Sequence, residues 1–401
     1  GKLNFKIIVI EMNKINIKLS ENTISKSEIS LLTRWLKKNE KLTKGKLTIK
    51  FEKIFSSWLK NKYSIFVNSG SSANLLVAQS LLESSCLKNK TIIVPAVSWI
   101  TTVTPFIQLG YNVKLCDCDK KNLGLDVQHF EYLCKKYRPS CVVLVHVLGH
   151  SNNMEKIKSI GQKFGVKIIE DTCEALGSEI KNKKLGTFGL ASTFSFYYGH
   201  HISTIEGGMV STNDKKLYNI MLSIRSHGWG RDLEAKQKKN LEKKYKIDKV
   251  RSLYTFYYSG FNLRSTDLNA FIGLQQIKKL KRIIRIRESN FKLYSKELPT
   301  FWHQKSNVNI ISNFGFGTLV KNRLEVFSYL KKKGIETRPL ICGNIGSQPI
   351  WLKKYKKQKL TNAQIIHDYG IYLPNHALID KKKIKFISEN FKKIAIPKHF
   401  K

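Results

Sequence analysis

The segment FSFYYGHHISTIEGG, Phe194 to Gly208, sets two histidines side by side ahead of Glu-Gly-Gly. Imidazole takes or gives a proton near neutral pH and also binds metals, so His200 and His201 are candidates for acid–base or metal chemistry. Three other stretches hold chemically suggestive residues. NSGSSANLL, Asn68 to Leu76, puts small residues ahead of a helical pattern. A closely approachable backbone and the free N–H groups of a helix start suit an anion such as phosphate. A strand-to-helix turn with no ligand fits the same residues, and the pattern is neither a P-loop nor GxGxxG. IIEDTCEALGS ends an apolar run at Asp171, where a carboxylate can pair with a protonated ring nitrogen of a bound heterocycle; a helix N-cap ahead of Ala175 and Leu176 is the alternative. VPAVSWITT brings Trp99 just past another apolar run, placed either to stack on a flat ring or to fill a core.

The surrounding pattern says what positions these residues. From Tyr63 to about Thr212, short β-branched runs (YSIFVN, TIIVPA, YNVKLCD, CVVLVHV, VKIIED, TFSFYY, GMVST) alternate with helical patterns such as LLVAQSLLESS, the stretch after Asp126, and MEKIKSIGQKFG. Such alternation predicts a mainly parallel sheet covered by helices on both faces, with ligands bound at the carboxyl ends of the strands. The candidates fall at those ends. The charged stretch DLEAKQKKNLEKKYKIDK, Asp232 to Lys249, reads as an exposed helix or loop. Beyond Asp267 a long helical pattern leads out of a large domain, 20–290, into a smaller C-terminal one, 291–401; residues 1–19 read as an N-terminal extension, with Met12 a candidate natural start.

Composition narrows the classes. No apolar run approaches the roughly 18–20 residues of a membrane span, and KIIVI at Lys6 to Ile10 is too short for a signal core, which points to the cytoplasm. The net charge of +42 comes mostly from lysines spread over a chain also rich in Ile and Asn. Compositional drift accounts for that, although a diffuse positive field also attracts anionic substrates. Nucleic-acid-binding signatures are missing, so a nucleic-acid partner is not expected. Seven cysteines at irregular spacing read as reduced thiols, and the tight pair Cys116-Asp-Cys118 lacks a second pair at ligand-like distance. Neither a metal site nor an iron–sulfur cluster is expected.

Taken together, the anion turn, Trp99, Asp171 and the serine-phenylalanine to Glu-Gly-Gly segment resemble, in that order, the DegT/DnrJ/EryC1/StrS sugar aminotransferases. VHVLGHSNNMEKI, RSHGWGRD, GFNLRSTDLNAFIGLQQIKKL and YLPNH look like further family blocks, and the resemblance runs from about Ser20 to near the C-terminus. It implies pyridoxal-phosphate (PLP) chemistry on fold type I: an aspartate aminotransferase-like α/β fold with a mostly parallel large-domain sheet sandwiched by helices, plus a smaller α+β C-terminal domain. Carried over by position, Gly70, Ser71 and Ser72 match the phosphate turn, Ser195 a further phosphate contact, Trp99 the ring-stacking aromatic and Asp171 the partner of the pyridinium nitrogen. Glu174 joins the cofactor contacts. Asn262 matches an asparagine sent into the neighbouring subunit's site, which implies a homodimer with shared active sites.

One position departs from the pattern. Counting five on from Ser195 and six back from Glu206 reaches His200, where most of the family has the lysine that forms a Schiff base with PLP. Imidazole cannot form that bond, so the cofactor would be held noncovalently while His200 keeps the work of proton transfer. The branch with histidine here is that of sugar 3-dehydratases, whose words HHISTIEGG, NSGSSANL and ETRPLICGNIGSQP look similar to this chain's. One kind acts on CDP-4-keto-6-deoxyglucose with an iron–sulfur cluster, whose cysteine pattern is missing here. The other acts on GDP-4-keto-6-deoxymannose in the colitose pathway of O-antigen lipopolysaccharide, without metal, and uses glutamate to recharge PLP to pyridoxamine phosphate (PMP). The resemblance therefore implies the second activity, with a nucleotide-sugar substrate and L-glutamate as amino donor. A PLP-dependent 4-aminotransferase and a catalytically idle, nucleic-acid-binding regulator are the alternatives. Neighbouring side chains of an extended segment point to opposite sides, which makes His201 a packing or hydrogen-bonding residue. His146, His227 and His376 stand in family blocks, with pocket-lining and structural roles both open. Arg338 is expected to meet an anionic group of substrate or glutamate.

Overall fold

The structure, a computed structural model, describes residues 17–38 and 40–400, so most of the 1–19 extension lies outside the described residues. Seven strands form the main sheet: β1 (Tyr63–Val67), β2 (Thr91–Pro95), β3 (Asn112–Cys116), β4 (Cys141–Val145), β5 (Lys167–Asp171), β8 (Ala191–Ser195) and β9 (Gly208–Thr212). Between β5 and β8, β6 (Glu179–Ile180) and β7 (Lys183–Lys184) make a small hairpin. The spatial order is β1-β9-β8-β5-β4-β2-β3. Strands β2 to β5 and β8 pair in parallel, while β9 runs antiparallel between β1 and β8.

The apolar runs form strands because helices cover both faces, leaving no solvent side for polar residues. CVVLV in β4 is buried throughout. The covering helix Met154–Phe164 shows the complementary 3.6 period: Met154, Ile157 and Ile160 are buried, Asn153 caps its start and Gly165, at φ +65°, ends it in a left-handed conformation. The antiparallel return of β9 has a local cause. No helix forms in the 196–207 connection, and a strand without a crossover can only come back beside its predecessor in the opposite direction. That connection holds both histidines at the carboxyl end of β8.

The Asp267–Glu297 helix spans both ends of the molecule. Its first half packs on the Lys46–Leu59 helix, so closely at Gly273 that a Cβ there would lie 2.7 Å from the Phe51 ring. Its last turns enter a second core, where Tyr294 and Leu298 meet Phe316, Leu330, Ile384 and Phe391. A three-stranded antiparallel sheet, β10 (Gly315–Leu319), β12 (Gly370–Pro374) and β11 (Arg338–Pro339), forms this end with the Arg323–Lys332 and Lys381–Ile394 helices. Ile17 is buried in the same core and bridges Ile335, so the extension's last residues belong to it. Not all of the C-terminal chain does: Ile345, Trp351, Leu360 and Ile366 pack into the main core. The Ala235–Tyr245 helix, within the charged stretch, buries none of its residues.

Candidate active site

Asp171 ends β5 and is 5% exposed. Asn74 Nδ2 and the Thr102 hydroxyl donate to its Oδ2 at 3.0 and 2.8 Å, and the Cys173 N–H donates to Oδ1 at 3.1 Å. Asn74 is oriented in turn, since its Oδ1 accepts from the Thr193 hydroxyl at 2.7 Å. The segment after Asp171 is a chain of turns, which removes the helix N-cap reading; the bond to Cys173 is an Asx-turn.

The anion turn is built from β1, whose end runs straight into the Gly70–Glu83 helix. Ser69 caps that helix by accepting from the Ser72 N–H at 3.0 Å. Ser72 Oγ donates to Asn68 Oδ1 at 2.5 Å, and Ser71 Oγ bonds Thr101 Oγ1 at 2.8 Å. The N–H groups of Gly70 and Ser71 precede the first intrahelical bond, so neither has a partner within the helix. A Cβ on Gly70 would lie 2.7 Å from Ser195 Cβ and 3.3 Å from Cys173 Sγ. Three segments thus meet there: the helix start, the end of β8 and the turn after Asp171. Trp99, at the start of the Ile100–Thr102 turn, is 58% exposed, which excludes the core reading and leaves its indole free to stack.

The two histidines occupy a turn, with the His200 N–H donating to Tyr197 O at 2.9 Å, rather than the expected extended segment. Their environments still differ. His201 is fully buried, and its Nε2–H donates to the Ser312 carbonyl at 2.9 Å. His200 is half-buried, and its Nδ1 lies 2.8 Å from the Cys173 carbonyl. A carbonyl only accepts, so Nδ1 carries the hydrogen and Nε2 carries the lone pair. Phe314 packs 5.1 Å from the imidazole, centre to centre. Although the ring keeps an open edge, burial is the main reason its pKa falls to about 4. The Cys173 carbonyl opposes that fall, Arg287 reinforces it and Asp171 opposes it.

Glu174 is 9% exposed, and its Oε2 accepts the Leu148 N–H at 2.8 Å. Burial pushes its pKa up to about 8, with the nearby Asp171 adding to the effect against the Leu148 bond. The carboxyl is thereby neutral at pH 7 and able to donate a hydrogen bond.

The remaining candidates sit on other segments, with partners of their own. Asn262 and His227 are exposed on adjoining strands of a loop pair, where His227 Nε2 is 3.4 Å from Arg264 Nη2. Arg338 is exposed at the edge of the small sheet and paired with Glu336 at 3.0 Å. His376 is a correction: its Nε2–H donates to Lys18 O and its Nδ1 accepts from the Leu378 N–H, at 3.1 and 3.2 Å, leaving no ring nitrogen for a substrate. It anchors the N-terminal segment instead. His146 is likewise internal, buried against Glu170 at 3.1 Å. Cys116 and Cys118 are buried, which pushes both thiols up. Among the described residues no group of three or more His, Cys, Asp or Glu could hold a metal, and no helix is long and apolar enough to cross a membrane. Asn74, Thr102 and Phe314 were missed by sequence reasoning. Only Asn74 left a signal, a polar residue inside an otherwise apolar helical stretch.

The family profile described as the DegT/DnrJ/EryC1/StrS aminotransferase family matches residues 22–392. The chain belongs to this family. It is 33% identical to GDP-4-keto-6-deoxy-D-mannose 3-dehydratase of Yersinia pseudotuberculosis, over 94% of this chain and 99% of that protein. Among solved structures it is similar to E. coli GDP-4-keto-6-deoxy-D-mannose-3-dehydratase with bound hydrated PLP, at TM-score 0.85 and 30% identity, over 94% of this chain and 100% of that one. It is also similar to GDP-4-keto-6-deoxymannose-3-dehydratase with a trapped PLP-glutamate geminal diamine, at TM-score 0.84 and 29% identity, over 94% and 100%. The architecture is accordingly the PLP-dependent aminotransferase fold, an α/β layering with β9 as the antiparallel strand of the large sheet.

Proposed function

We propose that this protein is a PLP/PMP-dependent sugar-nucleotide 3-dehydratase that removes the C3 hydroxyl of GDP-4-keto-6-deoxy-D-mannose. L-glutamate supplies the two electrons, and the products are the 4-keto-3,6-dideoxy sugar, 2-oxoglutarate and ammonia. The observation that carries the reading is His200: an imidazole in the lysine register, with Nδ1–H tied to a carbonyl and Nε2 left free.

The donor set fits the cofactor. Gly70 and Ser71 N–H groups, with Ser72 and Ser195, would hold the phosphate, in a cradle that a Cβ on Gly70 would fill. Asp171, steadied by three donors, would pair with the protonated ring nitrogen. The exposed Trp99 would stack on the ring, and neutral Glu174 would offer a donor to it. When bound, PLP or PMP supplies the electron sink for breaking bonds beside the sugar carbonyl. His200 accepts a proton at Nε2, the only site its tautomer leaves open. Lacking an amine, it cannot tether the cofactor or displace an amino sugar from it, so C3–O cleavage competes with amino transfer and prevails.

We further propose a cytoplasmic homodimer in which Asn262 enters the neighbouring site; the exposure of Asn262 and His227 supports this. The separate core of Ile17 and residues between Tyr294 and Ala395 supports a division into a large unit, 20–290, and a small one, 291–401, with Ile345, Trp351, Leu360 and Ile366 of the small unit packed on the large one. Incubation of the PLP-loaded protein with glutamate and a panel of 4-keto-6-deoxy sugars on GDP, CDP and dTDP carriers tests the function. Ammonia released in step with a 3-deoxy product on the GDP carrier is expected. Nitrogen retained on the sugar would make the protein an aminotransferase.

A further inference from the structure

Arg287 is 2% exposed, and among the described residues no carboxylate lies within ion-pair distance of it. A buried guanidinium without a counter-ion is costly and calls for a reason. Its Nη1 donates to the carbonyls of Asn313 and Phe314, each at 3.1 Å, and to that of Asn375, while its Nε has no partner. These bonds hold the 312–314 segment in place. The same segment takes the Nε2–H of His201 at Ser312 O, and Asn313 Nδ2 donates to Leu148 O at 2.8 Å. Phe314 neighbours both cation and imidazole: its ring centre is 5.9 Å from Arg287 Cζ and 5.1 Å from the His200 ring centre. The positive charge is therefore close to His200 in a region of low polarisability, without touching it.

We propose that Arg287 is a positioning residue for His200: a buried cation that fixes Phe314 against the imidazole and keeps a second proton off it, so that Nε2 stays a free base. The inference rests on the reading of His200 as the base. A cation one aromatic ring away from an imidazole opposes its protonation, and burial of the imidazole acts in the same direction. Asp171, from the end of β5, favours protonation, as does the Cys173 carbonyl; neutral Glu174 and the neutral, buried His201 carry no charge; Tyr197 packs edge-on at 6.4 Å. Arg287 is thus the one nearby cation among them, and it offsets Asp171. The two distances to the Phe314 centre keep the charge within about 11 Å of the imidazole, and at an effective dielectric of about 20 removing it should raise the His200 midpoint by about one pH unit.

The test uses imidazole NMR on the full-length protein without substrate, so it stands or falls separately from the dehydratase activity. His200 is assigned by comparison with His200→Asn. Expected are a wild-type midpoint well below the ordinary histidine value, a midpoint raised by about one unit in Arg287→Met and Arg287→Gln, and a near wild-type midpoint in the charge-preserving Arg287→Lys. Folded neutral variants that titrate with the wild type overturn the proposal. If neither neutral variant folds, the wild type decides alone: the Arg287 15Nε resonance should inflect at the His200 midpoint, and a flat resonance through that titration overturns it.

Discussion

Replacing Asp171 by Asn tests the centre of the cofactor reading. The wild-type carboxylate receives donors only: Asn74 and Thr102 at Oδ2 and the Cys173 N–H at Oδ1. An amide offers one oxygen and one NH2 group, so its nitrogen must face a donor whichever way it sits. Asn74 cannot flip to help, because its oxygen already accepts from Thr193. The least costly arrangement turns the new NH2 toward Cys173 and leaves that N–H unsatisfied, a penalty of about 1–3 kcal/mol. The protonated ring nitrogen loses its charged partner as well, and a charge-assisted bond of about 1.5–3 kcal/mol corresponds to roughly 10–150-fold weaker PLP binding. Absorbance titration with PLP and thermal unfolding of the apoprotein read the two effects separately. A variant that binds PLP within twofold of the wild type and melts at the same temperature would refute both the donor accounting and the assignment of Asp171.

Gly70→Ala should weaken PLP binding and cost about 1–3 kcal/mol of stability, because the new Cβ lands 2.7 Å from Ser195 Cβ; Ser195→Gly in the same chain should recover part of the stability, and urea unfolding measures both. Glu174 keeps its proton in the fold up to about pH 8, whereas unfolded it releases it near 4.5, so stability should fall as pH rises between these values, by at most about 1.4 kcal/mol per unit. Glu174→Gln should flatten that slope in denaturant titrations from pH 5 to 8, and an unchanged slope would count against a protonated Glu174. Borohydride should fail to fix PLP to the wild-type chain but should fix it in His200→Lys, read as a mass increase on the peptide that carries the substitution; fixation to a lysine of the wild type would end the noncovalent reading.

Much of this site was legible because its signals are local. A short unbroken apolar run such as CVVLV and a 3.6-residue period in MEKIKSIGQKF depend only on neighbours along the chain, so the alternation and the parallel sheet follow. The positions of Asn68 to Ser72, Trp99, Asp171 and Ser195 at strand ends follow from the same alternation, and the register from Ser195 to Glu206 singles out His200 by counting. His376 shows the limit. Its place in YLPNH leaves a pocket role open, but the partners that occupy its ring are the adjacent Leu378 N–H and Lys18 O, which lies 358 positions away.

The sequence by itself determined the layered α/β order, the strand ends that carry the chemistry and the imidazole that replaces an amine. The tertiary structure alone decided what those groups can do. The carbonyl of Cys173, 27 positions from His200, selects its tautomer; burial, helped by Asp171, keeps Glu174 neutral against the Leu148 bond; Asn74 and Thr102 aim Asp171. Tautomer, protonation and aim depend on which dipoles and how little water surround a group, and those are properties of the packed chain in three dimensions.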